Sequence, residues 1–157
     1  MTIREESIVH HPIHGIGRIQ SISKRSFSGE KETTFAQVYF KREKLTLMMP
    51  KQDLPNIVRE PLDAKKAMQL LEHLGKWKGK VSKNWKVRAN ANQVTLDSGD
   101  PFAYAEVYKG LSELEKDGAL RAADSQHMNR SLELLVDELA NALGKTPDEA
   151  RDQITSM

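Results

Sequence analysis

The order of apolar and polar positions changes character near residue 60. Before it, apolar residues come in short runs: Ile8-Val9-His10, Gly17-Arg18-Ile19-Gln20-Ser21-Ile22, residues 34–40 and residues 45–49. Runs of this kind, rich in β-branched and aromatic side chains and separated by turn formers, predict strands. The connections fall at residues 12–15, at Ser28-Gly29-Glu30 and at Lys41-Arg42-Glu43-Lys44, where glycine tolerates positive φ and polar side chains stay hydrated. Loops this short predict a small antiparallel sheet or barrel. In the last run, alternation puts Leu45, Leu47 and Met49 on one face and Thr46 and Met48 on the other. With the first face in the core, Met48 points outward and Gln37 joins it outside. Pro50 has no N–H to continue a ladder and ends the strand.

From Pro61 onward the period lengthens to that of helices. Ala64, Ala67, Met68, Leu71 and Leu74 form an i, i+3, i+4, i+7 stripe, with Gly75 as its stop. A second helix is predicted from near Ser82 to near Ser98-Gly99, with Trp85 and Arg88 in its first two turns. Asp100 before Pro101 reads as an N-cap with proline at the first helical position, opening a third helix that runs through Ala105, Tyr108, Leu111 and Leu114 to Gly118. Met128, Leu132, Leu135, Leu139 and Leu143 define a fourth, closed by Gly144, and Thr146-Pro147-Asp148-Glu149 is a capping box for a short fifth. The fold class is therefore α+β: an N-terminal small antiparallel β module over residues 1–58, then a C-terminal compact α-helical bundle over residues 59–157, joined between Asn56 and Pro61.

A chain of 157 residues accommodates one domain or two small ones. No apolar run approaches the roughly 20 residues that span a bilayer, and the start Met1-Thr2-Ile3-Arg4-Glu5-Glu6 lacks the apolar segment of a signal peptide. The expected location is the cytoplasm, with no membrane partner. The sequence has no cysteine, which removes disulfides, thiolate metal sites and cysteine nucleophiles together.

A net charge of +2 conceals an asymmetry. Lys and Arg against Asp and Glu number 10 to 7 over residues 1–60, 8 to 4 over 61–100, and 6 to 11 thereafter. Between Glu72 and Asp97 there is no carboxylate, yet Lys76, Lys78, Lys80, Lys83, Lys86 and Arg88 fall in that interval with Trp77 and Trp85 among them. Cations interleaved with indoles suit a polyanion, through counterion release and through stacking or wedging against bases. The same composition also describes a solvated lysine-rich connector whose tryptophans belong to the core. Charge alone leaves both readings open.

Catalytic chemistry finds little support. There is no G-x-x-x-x-G-K-S/T loop, no G-x-G-x-x-G, no H-E-x-x-H and no G-x-S-x-G. His10, His11 and His14 lie close together, but without a carboxylate or further histidine at ligand spacing they read as a structural turn rather than a metal site. The acidic residues of the third and fourth helices mostly alternate with apolar positions, as solvated faces do. No cofactor, no metal and no enzyme activity are expected.

Taken in order, the segments resemble the CarD/CdnL family of bacterial transcription regulators over nearly the whole chain. Residues 8–17, Ile-Val-His-His-Pro-Ile-His-Gly-Ile-Gly, are similar to the family's opening; Ser28-Gly29-Glu30-Lys31 to its hairpin; residues 45–50 to its closing strand. Asn84-Trp85-Lys86-Val87-Arg88, Ser98-Gly99-Asp100 and Ala105-Glu106-Val107 are similar to its helical half in order and spacing. The resemblance implies a Tudor-like β module that binds the RNA polymerase β subunit, with Arg25, Gln37, Met48 and Pro50 on the contact, and a helical module that binds promoter DNA as a monomer. It further implies that Trp85 wedges into the minor groove at the upstream edge of the melted promoter while Lys83, Lys86 and Arg88 hold phosphates, stabilising the open complex. The sequence departs from the pattern at Val87, where a second arginine is usual, at Ser125 and Gln126, where lysine or arginine begins the fourth helix, and at His11, which replaces a tyrosine. Fewer phosphate contacts imply weaker, less salt-sensitive DNA binding. A second hypothesis follows: a specialised interaction module that keeps the fold with weak or lost DNA binding.

Overall fold

In a computed structural model of the chain, which describes residues 2–26, 28–29 and 31–157, two compact units follow one another, one ending at Pro61 and one spanning Leu62–Met157. Glu30, expected in the second connection, lies outside the described residues.

The first unit is an antiparallel meander of β1 (Ile8–His11), β2 (Gly15–Arg25), β3 (Thr33–Phe40) and β4 (Leu45–Pro50), in the spatial order β1-β2-β3-β4. The sheet is open, with β1 and β4 at its edges. The β1 edge is partly covered because His10 exchanges both backbone hydrogen bonds with Arg59, 2.9 and 3.0 Å. β4 ends at Pro50, as expected, and Pro50 itself still pairs with Phe35, which an edge strand permits because one side of its ladder is unbonded. A register shift between Ile19 and Ser21 marks a bulge in β2. Val9, Ile19, Ala36, Val38 and Phe40 make a fully buried inner face, and Leu54 closes it from below. Leu54 arrives on two short elements that periodicity cannot reveal, a 3-10 turn (Lys51–Asp53) and the one-turn helix α1 (Leu54–Ile57). Gly17 is required by this packing: a Cβ there would stand 2.7 Å from the Phe40 ring and 2.9 Å from Val38.

The second unit holds α2 (Ala64–Lys76), α3 (Trp85–Asp97), α4 (Pro101–Lys116), α5 (Ala122–Leu143) and α6 (Pro147–Thr155). Three of their caps are the ones the sequence announces, while α2 is capped by Asp63 and α3 starts at Trp85 after the N-cap Asn84 rather than near Ser82. Asp100 Oδ1 accepts from the Phe102 N–H, Thr146 Oγ1 from the Glu149 N–H, and Gly144 takes the left-handed conformation that ends α5. The core joins Leu70, Leu71 and Leu74 to Leu96, Tyr104, Leu111, Leu134, Leu135 and Leu139, with Ala150 and Ile154 of α6.

Two expectations are corrected and a third is refined. Met68 is 58% exposed and Leu70 is buried in its place, so the inner stripe of α2 is Ala67, Leu70, Leu71 and Leu74. Gly75 lies inside α2, which continues to Lys76. Not all acids of the long helix are solvated: Asp124 and Glu138 are buried, and Glu138 Oε2 accepts the Leu62 N–H at 3.2 Å. No helix among the described residues is long and apolar enough to cross a membrane.

Candidate nucleic-acid and protein interfaces

The start of α3 is fixed by its own sequence. Asn84, at the N-cap, accepts from the Lys86 and Val87 N–H groups through Oδ1, 3.0 and 3.2 Å, and its own N–H donates to Ser82 Oγ, 3.2 Å. Such a cap satisfies donors that the first turn of any helix leaves free. It also sets Trp85 as the first helical residue, with its indole 43% exposed. The Lys86 ammonium lies 5.5 Å from the centre of that ring and the Arg121 guanidinium 5.8 Å. Lys83, Lys86 and Arg121 are exposed, and among the described residues none of them has a carboxylate partner. The positive end of the helix dipole adds to a local field that favours anions.

Arg88 departs from its expected role. It is 5% exposed, and its guanidinium is spent inside the protein: Nε and Nη2 donate to Asp124 Oδ1 and Oδ2 at 2.8 and 2.6 Å, and Nη1 donates to the Ser82 carbonyl at 2.8 Å. The hydrogen bond from Arg88 holds the Asp124 carboxyl below its ordinary range, and the same bond pushes the Arg88 guanidinium up. This is a bidentate buried ion pair between α3 and α5, so Arg88 shapes the site without offering its charge to a ligand. Asp124 Oδ2 also accepts the Arg121 N–H at 2.9 Å. One carboxylate thus ties the arginine of α3's second turn to the first residue before α5, and that arginine in turn holds the turn before α3 through the Ser82 carbonyl.

The lysine-rich connector is docked, not free. Trp77 is half-buried and its ring lies so close over Gly79 that a side chain there would overlap it, while Val81 occupies the space left by Gly110 on α4. Lys78, Lys80 and Lys83 remain exposed along this segment. The two tryptophans therefore divide the readings that composition left open: Trp77 packs and Trp85 projects. Val87 is 56% and Val94 72% exposed, so α3 also carries apolar surface outward. Ser125 is half-buried and Gln126 exposed at the start of α5. Arg121 was missed by sequence reasoning, because it precedes its helix and meets Trp85 only through the fold.

In the first unit, the strand register brings the four expected contact residues to one face. Gln37 is opposite both Ser21 and Met48, Phe35 opposite both Ser23 and Pro50, and Thr33 opposite Arg25. Cross-strand partners share a face and alternate residues return to it, so Arg25, Gln37, Met48 and Pro50 all lie on the side away from the core. Met48 is 41% exposed, Arg25 exposed, and Gln37 and Pro50 half-buried; Gln37 Oε1 accepts from Ser21 Oγ at 3.0 Å.

His10, His11 and His14 make contacts within the first unit. His10 is buried beside Arg59 and the other sheet residues, and burial first, then the charge of Arg59, pushes its pKa down to about 3. His11 Nδ1 accepts from the Ile13 and His14 N–H groups, and its ring stands 4.6 Å from that of His14. His14 Nδ1 meets Glu43 at 2.8 Å, a carboxylate brought in by the β3–β4 hairpin. Among the described residues no group of three or more His, Cys, Asp or Glu could hold a metal ion.

Comparison with known proteins accords with this arrangement. The family described as CarD, C-terminal domain, matches residues 69–155, which include the connector, the Trp85 turn and the Arg88–Asp124 pair. A Bacillus subtilis (strain 168) protein named "Putative transcription factor YdeB" is 26% identical over 147 residues, covering 90% of this chain and 92% of its own. The family match lies within the second unit and the similarity to the Bacillus subtilis protein extends over both, and together they point to transcription rather than to an enzyme. The chain belongs to the CarD/CdnL family and is a transcription regulator of that family.

Proposed function

We propose that this regulator binds the RNA polymerase β subunit through the outer sheet face and stabilises the promoter open complex through the Trp85 turn. The observation that carries the reading is Trp85 itself: a half-exposed indole at a helix start, flanked by two cations and set in a stretch without carboxylates. An indole gains contact at a DNA step only once that step unstacks, so it binds the melted duplex better than the closed one. Differential affinity shifts the equilibrium toward the open state. A preference of about 1.4 kcal/mol changes the open-to-closed ratio roughly tenfold. Lys83 and Lys86 hold phosphates beside it. Arg88 acts from inside, holding the turn against α5.

On the sheet, Met48 supplies an adaptable apolar contact, with Arg25, Gln37 and Pro50 around it. The deciding experiment measures open-complex lifetime with polymerase and saturating protein. Trp85→Ala is expected to shorten the lifetime while co-purification with polymerase survives, and Met48→Ala is expected to weaken co-purification with little change in melting temperature. Identical lifetimes for wild type and Trp85→Ala would sink the wedge. In that case the exposed Val87 and Val94 and the internalised Arg88 favour the second reading, a specialised interaction module whose α3 face meets a protein.

A further inference from the structure

We propose that Arg121 is a phosphate contact of the Trp85 site, supplied by the start of α5 where Ser125 and Gln126 bring no charge. The inference rests on the DNA-binding reading above and adds a residue from a different helix to it. Arg121 is exposed, it lies over the same ring as Lys86, and among the described residues no carboxylate neutralises its guanidinium. The one acidic side chain at hand, Asp124, is already committed. Its two oxygens receive two of the three Arg88 guanidinium nitrogens, and a further bond goes to the backbone N–H of Arg121, not to its side chain. That division has an electrostatic result. The buried pair cancels Arg88, while the Arg121 backbone is clamped and its charge is left facing solvent.

Two cations within about 6 Å of one ring centre gain from that ring, yet they repel each other. An anion placed between them relieves the repulsion. A guanidinium matches phosphate as a planar fork, so Arg121 offers a bidentate hold beside the indole that Lys86 cannot. The composite site thus holds one DNA strand from two helix starts, and Arg88, bonded to both Asp124 and the Ser82 carbonyl, keeps those starts in register.

The test is binding of the full chain to a labelled forked DNA, duplex on one side and unpaired on the other, followed across a salt series. Arg121→Gln is expected to lower affinity about five- to tenfold near 0.1 M salt and to flatten the slope of log affinity against log salt by about one. Arg121→Lys is expected to restore the slope and most of the affinity. Lost affinity with an unchanged slope, or an equal loss in Arg121→Lys, would overturn the proposal, since spoiling the fold does not remove one released counterion. Wild-type behaviour in Arg121→Gln alongside weakened Lys86→Ala would overturn it while leaving the DNA reading intact. No salt-dependent binding by the wild type would remove both.

Discussion

Asp124 shows how much one side chain can decide. Removing it leaves the Arg88 guanidinium buried without a counterion, and Asp124→Ala is expected to destabilise the helical unit by about 3–5 kcal/mol in urea unfolding. The double change Arg88→Met with Asp124→Leu is expected to recover much of that loss, because it removes the buried charge along with its partner. The carboxyl's lowered pKa gives the pH dependence its sign. Its contribution is complete above the unfolded value near 3.8 and is lost as pH falls through the lower folded value, so the pair is insensitive to pH near neutrality. His10 behaves differently. Its folded pKa of about 3 lies below the ordinary 6.5, so the sheet is expected to lose stability as pH falls from about 6.5 toward 3, at no more than about 1.4 kcal/mol per pH unit. His10→Gln is expected to flatten that slope when melting is followed across pH 4–7; an unchanged slope would mean that His10 is not the group responsible. Neither residue's role was legible in the chain. Arg88 looked like one more cation because its partner is 36 positions away, and burial of His10 depends on a bridge to Arg59 across the β1 edge.

Helices and strands were far more legible than the roles of their side chains, and the reason is local chemistry. Asp100 before Pro101, Thr146 with Glu149, and Gly144 after Leu143 each act within a few residues of themselves, so the caps could be read directly. The inner face of α2 could not. Met68 and Leu70 are equally apolar, and only packing against α4 and α5 turns one outward and the other inward. The connector before α3 was likewise open to two readings, because the glycines that let it dock sit at 79 and at 110, on two sides of the contact. Adding a methyl at Gly110 forces Val81 aside; Gly110→Ala is expected to cost about 1–3 kcal/mol and to raise the solvent exposure of Trp77, read by fluorescence in a Trp85→Phe background. Asn84→Ala is expected to cost about 1 kcal/mol through loss of the cap. Its larger effect falls on the Trp85 turn, so the variant is expected to shorten open-complex lifetime at a protein concentration where its fold is intact by circular dichroism.

At the scale of the molecule, each unit has its own hydrophobic core, one around Phe40 and Leu54 and one around Tyr104 and Leu135. Residues 62–157 alone are therefore expected to fold and to retain salt-dependent binding to forked DNA, while residues 1–61 alone are expected to retain polymerase binding. Loss of both activities on separation would refute the assignment of one contact to each unit. Composition foresaw the basic middle of the chain, but the net charge of +2 says little about how strongly the free protein holds DNA, and covalent continuity makes that strength less important than it looks. If the sheet binds polymerase as proposed, the helical unit would meet the promoter at an effective concentration on the order of millimolar. A free-solution dissociation constant of about 0.1 mM would then still leave the DNA site occupied about ten to one. On the proposed function, a regulator with no cation at Val87, Ser125 and Gln126 would in this way pass over the rest of the chromosome and act only where polymerase delivers it.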